Sequence, residues 1–97
     1  MSDAADPDLR DNVERHRFEM DVEGHTAFIE YRPMTGGLVF YHTLVPAALE
    51  GKGVGGRLAK AALTQMRARG LKVRPDCPFV RAYIERHPEF ADLVAEG

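Results

Sequence analysis

The residue types that could do chemistry are concentrated in one glycine-rich stretch, Gly51-Lys52-Gly53-Val54-Gly55-Gly56-Arg57. Its four glycines lack β-carbons, so the backbone can turn sharply and approach a ligand closely. An apolar pattern with helical spacing follows directly, which predicts that the stretch opens a helix. The unpaired N–H groups and the dipole at such a helix end favour an anion. The stretch therefore predicts a phosphate-binding loop.

Two common phosphate-binding patterns do not fit this stretch. A P-loop ends in Gly-Lys-Ser or Gly-Lys-Thr, whereas Gly56-Arg57-Leu58 stands here. A dinucleotide fingerprint needs its third glycine three positions after the second, and Leu58 occupies that position after Gly55. A glycine turn before an ordinary helix stays open as an alternative when the loop is considered alone, because short glycine patterns are weak signals.

Residues 50–55, Glu-Gly-Lys-Gly-Val-Gly, resemble motif A of the GNAT N-acetyltransferases, which is Gln/Arg-x-x-Gly-x-Gly/Ala. The glycines match, and Glu50 stands where the motif has Gln or Arg. Two further stretches sharpen the resemblance: His-Thr-Leu-Val-Pro at residues 42–46, and residues 75–90 with their Cys-Pro-Phe-Val, Tyr-Ile and Arg-His-Pro-Glu runs. Over about residues 12–92 the chain resembles a small, single-domain GNAT subfamily that has a cysteine near the acetyl site.

This resemblance implies acetyl-CoA as cosubstrate and an amine as acceptor, either a small molecule or a protein amine. The loop amides would hold the pyrophosphate, with charge added by Lys52 and Arg57. The backbone at the end of the preceding strand would pair with the pantetheine arm. The implied cofactor-binding set is Leu44, Val45, Gly51, Lys52, Gly53, Val54, Gly55, Gly56 and Arg57.

Cys77 is the first catalytic candidate. Pro78 is a favoured first helical residue, so Cys77 is predicted to be the N-cap of a helix, where the dipole favours a thiolate. The resemblance places this thiol near the acetyl group, either as a covalent acetyl carrier or as part of the pocket wall. A small, buried and inert side chain is the alternative.

His42 and Tyr83 complete the catalytic set. His42 lies within an apolar strand, and near neutral pH it could take a proton from an ammonium acceptor or from Cys77. The alternative is a core histidine bonded to backbone. Tyr83 follows Cys77 by six residues, and the resemblance implies a general acid that protonates the departing CoA thiolate; packing against the sheet is the alternative.

The pattern of elements predicts an α/β fold with a mixed sheet. Residues 1–11 are predicted to be a flexible tail, and residues 12–97 one domain. Three antiparallel strands should precede the loop, the first ending at Val22. The remaining predicted elements are strands over 26–32 and 38–45, a helix over 53–69 ended by Gly70, a strand from Leu71, a helix over 78–87 and a last helical turn or two over 89–96.

The order βββ-α-β-α predicts antiparallel strands followed by a parallel pair, and a right-handed crossover should connect the parallel strands. By resemblance this is a minimal GNAT fold. The helices that normally lie between the first strands of that fold are missing, and they usually help to wall the acceptor site. The acceptor cleft is therefore predicted to be open.

Composition excludes several classes of function. Thirteen basic and 15 acidic residues give a net charge of −2, which disfavours nucleic-acid binding. No apolar run approaches a membrane span, no Cys/His spacing suits a metal, and a single cysteine favours a reducing cytoplasm. Two alternatives to an acetyltransferase remain: a protein that binds CoA without efficient catalysis, and an interaction module that kept the fold.

Overall fold

The computed structural model describes residues 6–95 of the 97-residue chain. Within that range, the chain forms one five-stranded sheet whose spatial order follows the sequence. Strands β1 to β4 are antiparallel neighbours, and β5 pairs with β4 in parallel. This mixed sheet confirms the predicted fold class. The strands are β1 (Leu9–Asn12), β2 (Arg17–Val22), β3 (His25–Met34), β4 (Gly37–Leu44) and β5 (Lys72–Pro75).

Two helices follow β4 and β5. Helix α1 (Val54–Arg69) connects the two parallel strands, and helix α2 (Pro78–Arg86) follows β5. The predicted C-terminal glycine is confirmed, because Gly70 caps α1 in the left-handed conformation at φ 68°. Short 3-10 turns lie before α1 and after α2, at Ala47–Leu49 and Pro88–Leu93.

The core lies between one face of the sheet and the two helices. Phe18 pairs with Ile29 across β2 and β3, and all four of Phe18, Ile29, Phe40 and Leu58 are fully buried. Small residues on α1 let the helix lie close to the sheet. The buried side chains of α1 are Val54, Leu58, Ala59, Ala61, Ala62, Leu63 and Met66.

The opposite face of the sheet is called the open face here. It carries the outward side chains of β2, β3 and β4, which are mostly polar, charged or aromatic. Arg17 lies 4.0 Å above the Phe28 ring, and Arg32 lies 4.4 Å above the Tyr41 ring. Between Asp6 and Ala95, the two helices pack on the core side.

The N-terminal strands differ from the prediction. The first strand was expected to run through Val13 to Val22, after a tail that ended near residue 11. Instead, Leu9–Asn12 forms an edge strand, residues 13–16 turn, and β2 begins at Arg17. Val13 is 65% exposed in that turn, so it does not belong to the core. Residues 1–5 of the predicted tail lie outside the described residues.

Candidate functional site

The glycine loop forms the predicted entry to α1. After the Ala47–Leu49 turn, Gly51 and Gly53 adopt left-handed conformations at φ 79° and 74°, which glycine tolerates best. Gly53 is the N-cap of the helix, and Val54 directly after it is buried in the core. The packing of Val54 fixes the helix end, and the loop turns around it.

Most amides of this loop point to no acceptor of the protein itself. The N–H of Lys52 donates to the Leu49 carbonyl at 3.3 Å, and the N–H of Arg57 donates to the Gly53 carbonyl at 3.1 Å. Within residues 6–95, the other amides from 51 to 56 have neither a backbone nor a side-chain acceptor: Gly51, Gly53, Val54, Gly55 and Gly56. Five unpaired N–H groups at a positive helix end can bind an anion.

A cavity of about 510 Å³ opens beside this loop, between α1 and α2. Its walls combine backbone, aromatic rings and basic side chains. Lys60 and Arg86 have no carboxylate within salt-bridge distance in the described part of the chain. The lining residues are Gly53, Gly56, Arg57, Lys60, Phe79, Tyr83, Arg86 and His87. The cavity therefore suits a ligand with both a flat ring and negative charge.

Aromatic side chains of α2 lie directly against the first turn of α1. A β-carbon on Gly55 would lie 2.8 Å from Phe79 Cζ, and one on Gly56 would lie 3.7 Å from Tyr83 Cε1. The Tyr83 and His87 rings stack with centroids 3.9 Å apart. His87 Nδ1 lies 2.9 Å from the Tyr83 carbonyl oxygen, which therefore accepts its hydrogen. The small residues of the loop bring α2 close to the loop amides.

Tyr83 is buried in this wall. Burial, together with the charge of Glu89, raises the pKa of Tyr83 above its ordinary value of 10.0. The phenol therefore keeps its proton at neutral pH, as a general acid must.

The side chains of Lys52 and Arg57 have carboxylate partners. Lys52 Nζ lies 3.3 Å from a Glu23 oxygen. Arg57 binds Asp6 at 2.9 Å and Asp8 at 2.6 Å. Five of the loop amides are therefore unpaired, whereas the two cationic side chains predicted to assist them are held by acidic residues.

Strand β5 is shorter than β4, and all four of its residues pair with the first half of β4. A β-carbon on Gly37 would lie 2.0 Å from the Lys72 carbonyl oxygen, so only glycine fits at the start of this pairing. The pairing ends at Phe40 and Pro75. The Cys77 N–H then donates to the Phe40 carbonyl at 2.9 Å. Beyond that bond, the backbone of Tyr41 to Leu44 makes no hydrogen bond toward β5 among the described residues.

A β-bulge decides which face of the sheet each side chain at the end of β4 occupies. The β3–β4 register shifts between Glu30 and Tyr31, and Tyr41 is the extra residue on β4. Tyr41 and His42 therefore both lie on the open face, where the His42 ring meets Phe28 edge-on at 6.3 Å. Thr43 faces the core side, opposite the buried Ile29.

Cys77 is the N-cap of α2, as predicted, and is 5% exposed. Its sulfur lies 3.2 Å from Thr43 Oγ1. His42 is on the other side of β4, so the structure does not bring the Cys77–His42 pair together. Tyr83 lines the cavity, whereas Cys77 does not.

Sequence reasoning did not identify Thr43, Phe79, Arg86 and His87 as site residues. A signal for three cavity residues was present, because Phe79, Tyr83 and His87 are spaced four apart and share one helix face. No sequence pattern marked Thr43, because the β4 bulge determines which face of the sheet its side chain occupies.

The described residues lack two features that are typical of other classes of site. Residues 6–95 contain no cluster of His, Cys, Asp or Glu that could hold a metal ion. In the same range, every helix is too short or too polar to cross a membrane.

Comparison with known families gives one clear result. A family model described as GCN5-related N-acetyl-transferase matches residues 17–93, which covers the glycine loop, the end of β4 beyond its pairing with β5, and both helices. No curated protein matches the chain significantly.

Proposed function

The chain belongs to the GCN5-related N-acetyltransferase family, and from this premise we propose that it transfers the acetyl group of acetyl-CoA to a primary amine. The observation that carries the proposal is the set of five unpaired loop amides that opens onto the basic, aromatic cavity. An anion with an attached ring system is what such a site would bind.

In this proposal, acetyl-CoA lies across the loop. Its diphosphate accepts hydrogen bonds from the five unpaired amides within residues 51–56, and its nucleotide end enters the cavity near Lys60 and Arg86. The pantetheine arm pairs with the unpartnered edge of β4, at the backbone of Leu44 and Val45. A backbone N–H at this unpartnered end of β4 then polarises the thioester carbonyl.

Two routes for the acetyl group are open. In the covalent route, Cys77 loses its thiol proton to solvent and its sulfur attacks the thioester carbonyl, and CoA leaves as a thiolate that takes up a proton from solvent. The amine then attacks acetyl-Cys77, the amide forms, and the proton that the amine loses regenerates the Cys77 thiol. In the direct route, the amine attacks acetyl-CoA itself. The contact between Thr43 Oγ1 and the Cys77 sulfur favours the covalent route, because a hydroxyl can stabilise a thiolate.

The acceptor enters from the open face in this proposal. His42 is exposed there, beside the unpaired part of β4, and could take the proton that the ammonium group must lose before it attacks. A cytoplasmic location remains a prediction from the single cysteine.

A CoA-binding protein without efficient catalysis is the second candidate. It is favoured by the open face, over which the described residues place no helix that could hold an acceptor. Release of free CoA thiol in the presence of an amine panel separates the two, because a binder would release none.

Gly55→Asp tests the cofactor site. The aspartate would place a negative charge among the amides, and we expect acetyl-CoA affinity in calorimetry to fall at least about tenfold. Gly55→Asn is the matched control, because it meets the same exposed Phe79 ring but adds no charge. Asparagine should therefore weaken binding much less than aspartate. Equal affinity of wild type and Gly55→Asp would refute the loop assignment.

A further inference from the structure

An acidic segment at the N-terminal end of the described chain binds the first turn of α1. Arg57 Nε donates to Asp6 Oδ2 at 2.9 Å, and Arg57 Nη2 donates to Asp6 Oδ1 at 3.1 Å and to Asp8 Oδ2 at 2.6 Å. These contacts join residues about fifty positions apart in sequence. The three side chains carry one positive and two negative charges, so the group has a net charge of −1 at neutral pH.

The position of Arg57 makes this charge relevant to ligand binding. Arg57 lines the cavity with Gly53 and Gly56, whose amides are unpaired. Lys60 and Arg86, the other two permanent cations of the lining, have no carboxylate partner within residues 6–95. The acidic segment therefore pairs with Arg57, one of the basic side chains that line the cavity.

The Asp6 carboxylate is ionised when the protein is at neutral pH. Hydrogen bonds from the Arg57 guanidinium and the Asp8 N–H hold the pKa of Asp6 below its ordinary value. Asp8 is more exposed, and its contact with Arg57 is the shorter of the two ion pairs.

We propose that Asp6 and Asp8 act as an autoinhibitory segment that competes with the phosphates of CoA for Arg57. The inference rests on the proposed function, and it adds a regulatory contact to the same site. When a phosphate approaches, the Arg57 side chain exchanges its carboxylate partners for phosphate oxygens, and the acidic segment is released. Two exposed ion pairs are weak enough for such an exchange.

The test measures CoA affinity by calorimetry for wild type and for Asp6→Asn/Asp8→Asn. We expect the variant to bind CoA about three- to tenfold more tightly at low salt, because exposed pairs of this kind contribute little each. The gain should shrink at about 1 M salt, where the screening length is only about 3 Å.

Asp92→Asn is the matched control. Asp92 binds Arg67 at 3.0 Å near the other end of α1, away from the cavity lining. This variant removes a comparable exposed ion pair from the same helix, and its CoA affinity should equal that of wild type. A gain in Asp92→Asn as large as that in the double variant would overturn the proposal, because net charge alone would explain it.

A double-mutant cycle shows whether Arg57 is the shared partner. In an Arg57→Gln background, the two asparagine substitutions should no longer change CoA affinity. If the two substitutions raise CoA affinity as much in the Arg57→Gln background as in wild type, the aspartates do not compete for Arg57 and the proposal is overturned. If Asp6→Asn/Asp8→Asn binds CoA more weakly than wild type, the aspartates position Arg57 for CoA, and the proposal is again overturned. If wild type binds CoA and the double variant binds equally, the inference fails and the proposed function stands. If no variant binds CoA, both fail.

Discussion

Thr43 is the side chain that gives Cys77 a polar neighbour. The rest of the sulfur's surroundings belong to the hydrophobic core, where a cysteine is usually inert. The Thr43 hydroxyl lies 3.2 Å from the sulfur, and either atom can be the donor. When the sulfur carries negative charge, the hydroxyl must donate, and this direction stabilises the thiolate.

Thr43→Val tests whether this contact serves chemistry. Removing one hydrogen bond to a charged group costs about 1.5 kcal/mol or more, so we expect Cys77 to be acetylated about tenfold more slowly by acetyl-CoA. Intact-protein mass spectrometry over time measures the rate. Thr43→Ser keeps the hydroxyl and should react at close to the wild-type rate. Equal rates in the valine and serine variants would restrict Thr43 to packing.

The residue types of the site were predictable, but their grouping was not. Simple alternation along β4 would have placed His42 on the same face as Phe40, toward Cys77. The extra residue, Tyr41, reverses that alternation, so Thr43 meets Cys77 and His42 faces solvent. The bulge depends on pairing with β3, and no local feature of residues 37–44 signals it.

The edge strand β1 is a whole element that forms through tertiary contacts and that its local sequence does not predict. Its sequence, Leu-Arg-Asp-Asn, has no apolar alternation that would predict a strand. Its side chains instead bind β2: Arg10 contacts Glu19 at 2.8 Å, and Asn12 Nδ2 donates to Glu19 at 3.1 Å. Arg17 of β2 adds a third donor at 2.8 Å. The strand forms because it completes a polar network around one buried carboxylate.

Glu19 should make the stability of this hairpin depend on pH. Burial alone would raise the pKa of Glu19, but hydrogen bonds from Arg17, Arg10 and Asn12 outweigh it and hold the pKa below its ordinary value of 4.5. A lowered pKa means that the carboxylate stabilises the fold fully above about pH 4.5, and that this stabilisation is lost as the pH falls through the lowered value.

Glu19→Gln measures that contribution. At neutral pH we expect the free energy of unfolding, from urea titrations, to fall by about 2 kcal/mol, because several bonds to a charged acceptor are weakened. The difference from wild type should shrink as the pH falls below 4.5. Asp21→Asn, which removes an exposed partner of Arg10, should change stability less. Parallel pH curves for wild type and Glu19→Gln would contradict this account.

At the scale of the whole molecule, features that depend on adjacent residues were predicted from the sequence, and features that depend on tertiary packing were not. The glycine loop, the ends of α1 and the N-cap at Cys77 each depend on a few adjacent residues, and the structure has them where the sequence predicted. The cavity depends on how α2 packs on α1, and the contact between Asp6 and Arg57 depends on a strand that was not predicted. Both require the folded chain, because their residues are distant in sequence.

The proposed cofactor site lies where α1, α2 and the loop meet, so its occupation should stabilise the whole molecule. At a free acetyl-CoA concentration about 100 times Kd, mass action adds about 2.7 kcal/mol to the free energy of unfolding. In a domain of this size that corresponds to a rise in Tm of roughly 10 to 20 °C. Calorimetric scans with and without acetyl-CoA measure the shift. Gly55→Asp should show almost none at the same ligand concentration, whereas an equal rise in that variant would mean that acetyl-CoA binds away from the loop.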